Sequence, residues 1–274
     1  MDEPQKTVSG STPARARLGR RGIYLLPNAI TISSLFCGFY AIVMSLNLEF
    51  KQATVAIFIS MILDSMDGRV ARLTRTQSEF GAQLDSLADM VAFGAAPALV
   101  VYEWSLKGMG RIGWVSAFIF CACAALRLAR FNTNIKVVDK RFFQGLPSPA
   151  AAALVAGFIW LMDDIGFAGS DFYWTSWILT LYAGLTMVSN VPFYSFKVMN
   201  IRKSVPFIAI ILVVLIFVTI SFDPPKVLFG LFVVYGISGY VVYLWHKLKG
   251  KPVSIVQTEE DHHEENDEKD VKKQ

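Results

Sequence analysis

The sequence predicts an all-α, polytopic transmembrane helix bundle of about eight spans, with N- and C-termini on the cytoplasmic side. Three observations predict it. First, 54% of the 274 residues are hydrophobic, and the mean hydropathy is +0.44. Second, apolar runs of about 20 residues recur along the chain, each long enough to cross a bilayer. Third, Lys and Arg gather on alternate sides of those runs. With the distant tail set aside, nineteen fall in the segments that would share the side of the N-terminus, and four (Lys51, Lys107, Arg111 and Lys226) fall in the others. That asymmetry is the positive-inside pattern. A non-barrel chain must satisfy its backbone internally in lipid, so such segments form a helix bundle.

Taken in order, residues 1–22 read as a disordered basic N-terminal arm. They are polar, with Arg15, Arg17, Arg20 and Arg21 just before the first apolar run. No apolar stretch follows a cleavage-like site early enough for a cleaved signal peptide. Residues 23–248 read as one membrane domain, with spans near 27–47, 52–74, 80–104, 112–132, 148–166, 172–192, 205–222 and 225–246. The first opens at Leu26-Pro27-Asn28-Ala29-Ile30-Thr31, where proline suits a helix start and Asn28 or Thr31 suits a cap. The second has a polar end, Asp67–Arg75, that emerges from the lipid. Ser78 suits the N-cap of the third. The fourth ends in Arg127-Leu128-Ala129-Arg130-Phe131-Asn132. The junction of the fifth and sixth is crowded by Asp163, Asp164 and Asp171, and Ser189-Asn190-Val191-Pro192 terminates the sixth. The seventh and eighth are almost purely apolar and show no recognisable chemistry. Trp104, Trp114, Trp174 and Tyr194 stand near span ends, as interfacial anchors do. Residues 249–274 read as a disordered charged cytoplasmic tail.

Composition also narrows the chemistry. Cys37, Cys121 and Cys123 lie in apolar helices without metal-ligand or redox spacing, so they read as small core residues. The histidines, His246, His262 and His263, all lie at the C-terminal end. No Ser/His or Cys/His catalytic pair follows from them. No nucleic acid is expected as a partner; the partner that the composition demands is the lipid bilayer.

The informative stretch is Asp64–Asp89, which carries Asp64, Asp67, Asp85 and Asp89 between apolar runs. A carboxylate at membrane depth costs about 2.5–3.5 kcal/mol on insertion scales and usually marks a functional site. Four together need a shared partner, and a pair of divalent cations answers that need. At about 100° per residue, Asp64, Asp67, Gly68, Ala71 and Arg72 fall within roughly 140° of helical arc, and Gly81, Asp85 and Asp89 within roughly 80°. Two helices would therefore aim four carboxylates and a guanidinium at one point. Hard cations such as Mg²⁺ bind through carboxylates and substrate phosphates. Gly68 and Ala71 have little side chain, so a diphosphate would approach the backbone closely. Arg72 adds a fork suited to phosphate oxygens. An exposed polar loop would explain neither the one-sided spacing nor the small residues on the same faces.

The run Asp64-x2-Asp67-Gly68-x2-Ala71-Arg72-x8-Gly81-x3-Asp85-x3-Asp89 resembles the full signature of the CDP-alcohol phosphatidyltransferase family. The resemblance implies a membrane enzyme that moves a phosphatidyl group from CDP-diacylglycerol to an alcohol and releases CMP. It implies two divalent cations, Mg²⁺ or Mn²⁺, held by Asp64, Asp67, Asp85 and Asp89, with Asp89 as general base. It places the CDP-diacylglycerol site at Gly68, Ala71, Arg72 and Gly81, with Ser78 near the diphosphate and the Pro-Asn-x-x-Thr residues Asn28 and Thr31 near the cytidine. A homodimer and an active site at the cytoplasmic face are also implied. The segments Arg127–Asn132 and Gly145-Leu146-Pro147-Ser148-Pro149-Ala150-Ala151-Ala152 resemble the serine-using branch of the family. That implies L-serine as acceptor, phosphatidylserine as product, and Arg127, Arg130 and Asn132 as the acceptor site. Other acceptors (glycerol 3-phosphate, inositol phosphate or choline) remain open on these residues. A different class is a divalent cation transporter, against which Arg72 beside the carboxylates argues. A catalytically silent scaffold is the third, against which the intact aspartate set argues.

Overall fold

A computed structural model of the chain describes residues 14–74, 76–134, 142–194 and 207–249. Helix α1 runs Ala14–Leu46 with Pro27 inside it. The helix thus begins well before Pro27, and residues 14–22 of the expected disordered arm are helical. Alanine, leucine and arginine are strong helix formers, and a proline removes only one backbone bond where neighbouring turns hold. Residues 1–13 and the expected tail from residue 250 lie outside the described residues.

A short turn, with Leu48 at φ 64°, leads into α2, Phe50–Thr74. The two helices lie antiparallel, as three cross-helix contacts record. Tyr40 Oη donates to Gln52 Oε1 at 3.1 Å, Ser34 and Ser60 hydroxyls meet at 2.7 Å, and Thr31 Oγ1 donates to Asp67 Oδ2 at 2.7 Å. Thr31, Ser34, Gly38, Ala41 and Ser45 recur at spacings of three and four and are all buried, so small residues let the backbones approach.

Helix α3, Glu79–Asp89, passes through a π-helical turn at Met90–Ala95 into α4, Ala96–Trp104. Ser78 caps α3, its Oγ accepting from Gly81 N at 3.0 Å. A 3₁₀ turn at Leu106–Met109 leads to α5, Arg111–Asn134. Helix α6, Ser148–Ile165, ends at Gly166 in the left-handed region. It is followed by α7, Tyr173–Val188, then α8, Phe207–Phe222, and α9, Pro224–Leu248. The all-α expectation misses one feature. Strands β1, Phe142–Gln144, and β2, Pro192–Tyr194, pair antiparallel. The sixth expected span accordingly stops at Val188, because Ser189 turns extended and Pro192 enters the strand.

Alanine-rich α6 stands at the centre, packed on α2, α4, α7 and α9. Every residue from Ala150 to Ile159 is buried. Rings fill the space where alanines do not: Phe58 meets Trp160 at 5.6 Å, and Trp104 and Phe229 each meet Phe158 at 5.8 Å. Trp104 is therefore a core residue, 7% exposed, and not an interfacial anchor; its span end is folded under the neighbouring turn. Trp114 and Trp174 are exposed as expected.

Among the described residues, five helical segments are long and apolar enough to cross a membrane: Leu26–Leu46, Glu79–Trp104, Arg111–Thr133, Ser148–Ile165 and Pro224–Trp245. Helix α2 falls short because its end carries Asp64, Asp67, Arg69 and Arg72. Helices α7 and α8 have 16 residues each, about 24 Å at 1.5 Å per residue.

Candidate metal and phosphate site

The spacing of three in α2 and of four in α3 puts each carboxylate pair on one face, and both helices rest on α1. The carboxylates do converge. Oxygens of Asp64, Asp67 and Asp85 lie within 4.8 Å of one another. Asp89, one turn beyond Asp85, lies in the fields of Asp64, Asp85 and Arg127. Asp67 is buried, and the other three are half-buried. Like charges at this separation repel strongly in a low-dielectric interior, and a donor set made only of hard oxygens fits Mg²⁺ or Mn²⁺.

The surroundings of the cluster differ from point to point. A Cβ on Gly68 would meet no atom within 4 Å, so the backbone beside Asp67 is open to a ligand. Arg72, one turn on, is exposed. At the start of α3, a Cβ on Gly81 would lie 3.2 Å from Ser78 Oγ and 3.3 Å from Asn28 Oδ1. Asn28, Ser78 and Gly81 are thereby brought together. The Thr31 hydroxyl is engaged with other partners. It has one proton, and the shorter contact, to Asp67 Oδ2 at 2.7 Å, takes it over the Pro27 carbonyl at 3.1 Å.

The three expected acceptor residues separate. Arg127 faces the carboxylates: it acts electrostatically on Asp89 and Asp64, and its Nη1 donates to Ser148 Oγ at 2.6 Å. Arg130 is turned to the end of α7, where it donates to Asn190 Oδ1 at 2.6 Å and to the Val188 carbonyl at 3.3 Å. Asn132 donates to Ser86 Oγ at 2.9 Å and ties α5 to α3.

Two features of the site were not read from the sequence. Tyr235, on the apolar α9, stands within electrostatic reach of Arg127 and packs its ring on Phe193 at 5.7 Å. Tyr235 is one of three tyrosines on α9, with Tyr240 and Tyr243, so its phenol gives no signal that singles it out, although a half-buried Tyr usually seeks a polar partner. The π turn begins immediately after Asp89. Such turns are frequent at functional sites, and this one packs Ala92 against α1 so closely that a Cβ on Gly38 would lie 2.7 Å from Ala92 Cα.

Fold and site together define a membrane-helix protein with a carboxylate cluster suited to hard cations. The chain belongs to the CDP-alcohol phosphatidyltransferase family, which residues 24–188 match. Over 221 residues it is 39% identical to a CDP-diacylglycerol–serine O-phosphatidyltransferase of Helicobacter pylori, covering 78% of this chain and 90% of that protein. A protein of the same name from Mycobacterium tuberculosis is 39% identical over 185 residues, 64% of this chain and 63% of its own length. Another, from Methanocaldococcus jannaschii, is 37% identical over 173 residues, 63% of this chain and 75% of its own length.

Proposed function

We propose that the chain transfers the phosphatidyl group of CDP-diacylglycerol to the hydroxyl of L-serine, giving phosphatidylserine and CMP. The convergence of Asp64, Asp67 and Asp85 within 4.8 Å, with Asp89 in the field of Asp64 and Asp85, carries this reading. The names of the relatives support serine as acceptor. The four aspartates would hold two divalent cations, Mg²⁺ or Mn²⁺. When bound, these would offset charge on the attacked phosphate and on the departing CMP.

The residues divide the remaining work. Open space at Gly68 admits the diphosphate against the backbone. Arg72 offers its fork to phosphate oxygens. Asn28, Ser78 and Gly81, gathered at the start of α3, receive the nucleotide, with Ala71 leaving room on the α2 side. The serine oxygen attacks the phosphorus that bears the diacylglycerol, the bond from that phosphorus to the CMP oxygen breaks, and Asp89 takes the hydroxyl proton. Position beside the attacking oxygen matters more here than the free pKa of a carboxylate. Arg127, beside Asp89 and Ser148, is the residue that best fits the serine carboxylate. Arg130 and Asn132 act on that site through the helix ends they join. Direct displacement needs no covalent intermediate.

The same reading takes residues 23–248 as the membrane domain with about eight spans. It puts both termini and the aspartates on the cytoplasmic side by the Lys and Arg asymmetry, and takes the working unit as a homodimer. The test is CMP release by purified protein given CDP-diacylglycerol, Mg²⁺ or Mn²⁺, and one acceptor at a time. Serine-dependent release with phosphatidylserine formed, abolished by EDTA, is expected. Release with glycerol 3-phosphate, inositol phosphate or choline instead would keep the aspartate chemistry and move the acceptor. No release with any of them would remove the transferase reading.

A further inference from the structure

Helix α1 contributes no carboxylate to the cluster, yet it touches the most buried one. Asp67 is 5% exposed, and its Oδ2 accepts from Thr31 Oγ1 at 2.7 Å. A hydrogen bond to an ionised acceptor is among the stronger kinds, and a β-branched threonine has few rotamers with which to evade it. Three residues along the same face of α1, Ser34 meets Ser60 of α2. Their hydroxyls are 2.7 Å apart, Ser34 Oγ lies 3.2 Å from the Ser60 carbonyl, and Ser60 Oγ lies 3.0 Å from the Ser34 carbonyl. Both serines are buried. A reciprocal clasp of this kind fixes the helices against sliding and rotation, and so fixes where the Thr31 hydroxyl sits relative to Asp67.

We infer that Thr31 is a positioning residue for the metal centre, orienting the Asp67 carboxylate, and that the Ser34–Ser60 clasp holds it in register. The inference rests on the proposed cation site and goes beyond it, since Thr31 then belongs to the outer sphere of the cation and not to the cytidine. Partners that orient a metal ligand typically carry about 10- to 100-fold in metal affinity.

The test is Mn²⁺ binding to the full-length protein in detergent, followed by the electron paramagnetic resonance of free Mn²⁺, without substrate. Thr31→Val, which keeps the shape and removes the hydroxyl, should weaken Mn²⁺ binding by about tenfold. Thr31→Ser should restore most of the loss. The double variant Ser34→Ala/Ser60→Ala should weaken binding by a smaller factor. Unfolding midpoints measured in EDTA should stay close to that of the parent, which separates positioning from general destabilisation. Parental Mn²⁺ affinity in Thr31→Val, or a loss in Thr31→Ser as large as in Thr31→Val, would overturn the Thr31 role. Parental affinity in the serine double variant would overturn the clasp, and that arm stands even where Thr31→Val fails to fold. Asp67→Ala is the control for the underlying reading: if it binds Mn²⁺ as the parent does, the cation site itself is wrong.

Discussion

The two ends of the bundle both carry carboxylates, and they handle them in opposite ways. At one end, Asp164 pairs with Lys51 at 3.1 Å, Asp223 with Lys226 at 2.5 Å and Glu103 with Lys107 at 2.8 Å, each through an exposed lysine. Those charges are settled locally. The Lys226 ammonium holds the Asp223 carboxyl below the usual carboxylate range, and Glu103 raises the Lys107 ammonium above its usual value. At the other end, Asp64, Asp67, Asp85 and Asp89 face one another, with Arg127 and the Thr31 hydroxyl beside them. Exposed pairs contribute little to stability, about 0–1 kcal/mol. Converging carboxylates in a partly buried site are costly unless a cation is bound. The contrast teaches that compensation, and not the number of acids, separates a structural end from a working one.

The largest effect should come from the working end. Asp89→Asn keeps the shape of the side chain and removes its basicity. It should lower CMP release by about 10²- to 10⁴-fold, the range for a lost general base, while CDP-diacylglycerol still binds. Full turnover in that variant would sink the assignment of Asp89 and blur the contrast between the ends. The next largest should come from Gly81→Leu. The glycine has only 3.2–3.3 Å of room before Ser78 and Asn28, so a larger side chain must push into the space assigned to the nucleotide. The KM for CDP-diacylglycerol should rise about tenfold, equivalent to roughly 1.4 kcal/mol, with Mn²⁺ binding kept. An unchanged KM would put the nucleotide elsewhere.

Much of this was legible because it depends on spacing alone. Carboxylates at three and four residues apart share a helix face whatever surrounds them, and Ser78 caps α3 as its position suggests. What was not legible depends on which helix lies opposite. Nothing in the local sequence says that the Thr31 proton goes to Asp67, 36 residues away. Arg130 and Asn132 carry the right chemistry for an anion but meet the end of α7 and Ser86. Tyr235 reaches Arg127 only because α9 docks on α6. The π turn at Met90–Ala95 changes backbone bonding without a distinctive residue pattern, and Pro27 reads as a helix start although α1 continues through it. Trp104 was misplaced because proximity to a span end does not say whether a neighbouring turn covers it.

The smallest effect should come from the paired end, and it is the sharpest check on the comparison. Lys51 and Asp164 join the start of α2 to the end of α6, with side chains 61% and 42% exposed. Water screens such a pair, and ordering a lysine side chain costs entropy, so Lys51→Ala should shift stability by no more than about 1 kcal/mol. CMP release should match that of the parent, because α2 is still clasped to α1 through Ser34 and Ser60 near the aspartates. Denaturant unfolding and the CMP assay on one preparation would read both quantities. A large loss of activity at unchanged stability would mean that the register of α2 is set from its far end, and the division of the bundle into a paired end and a working end would then have to be given up.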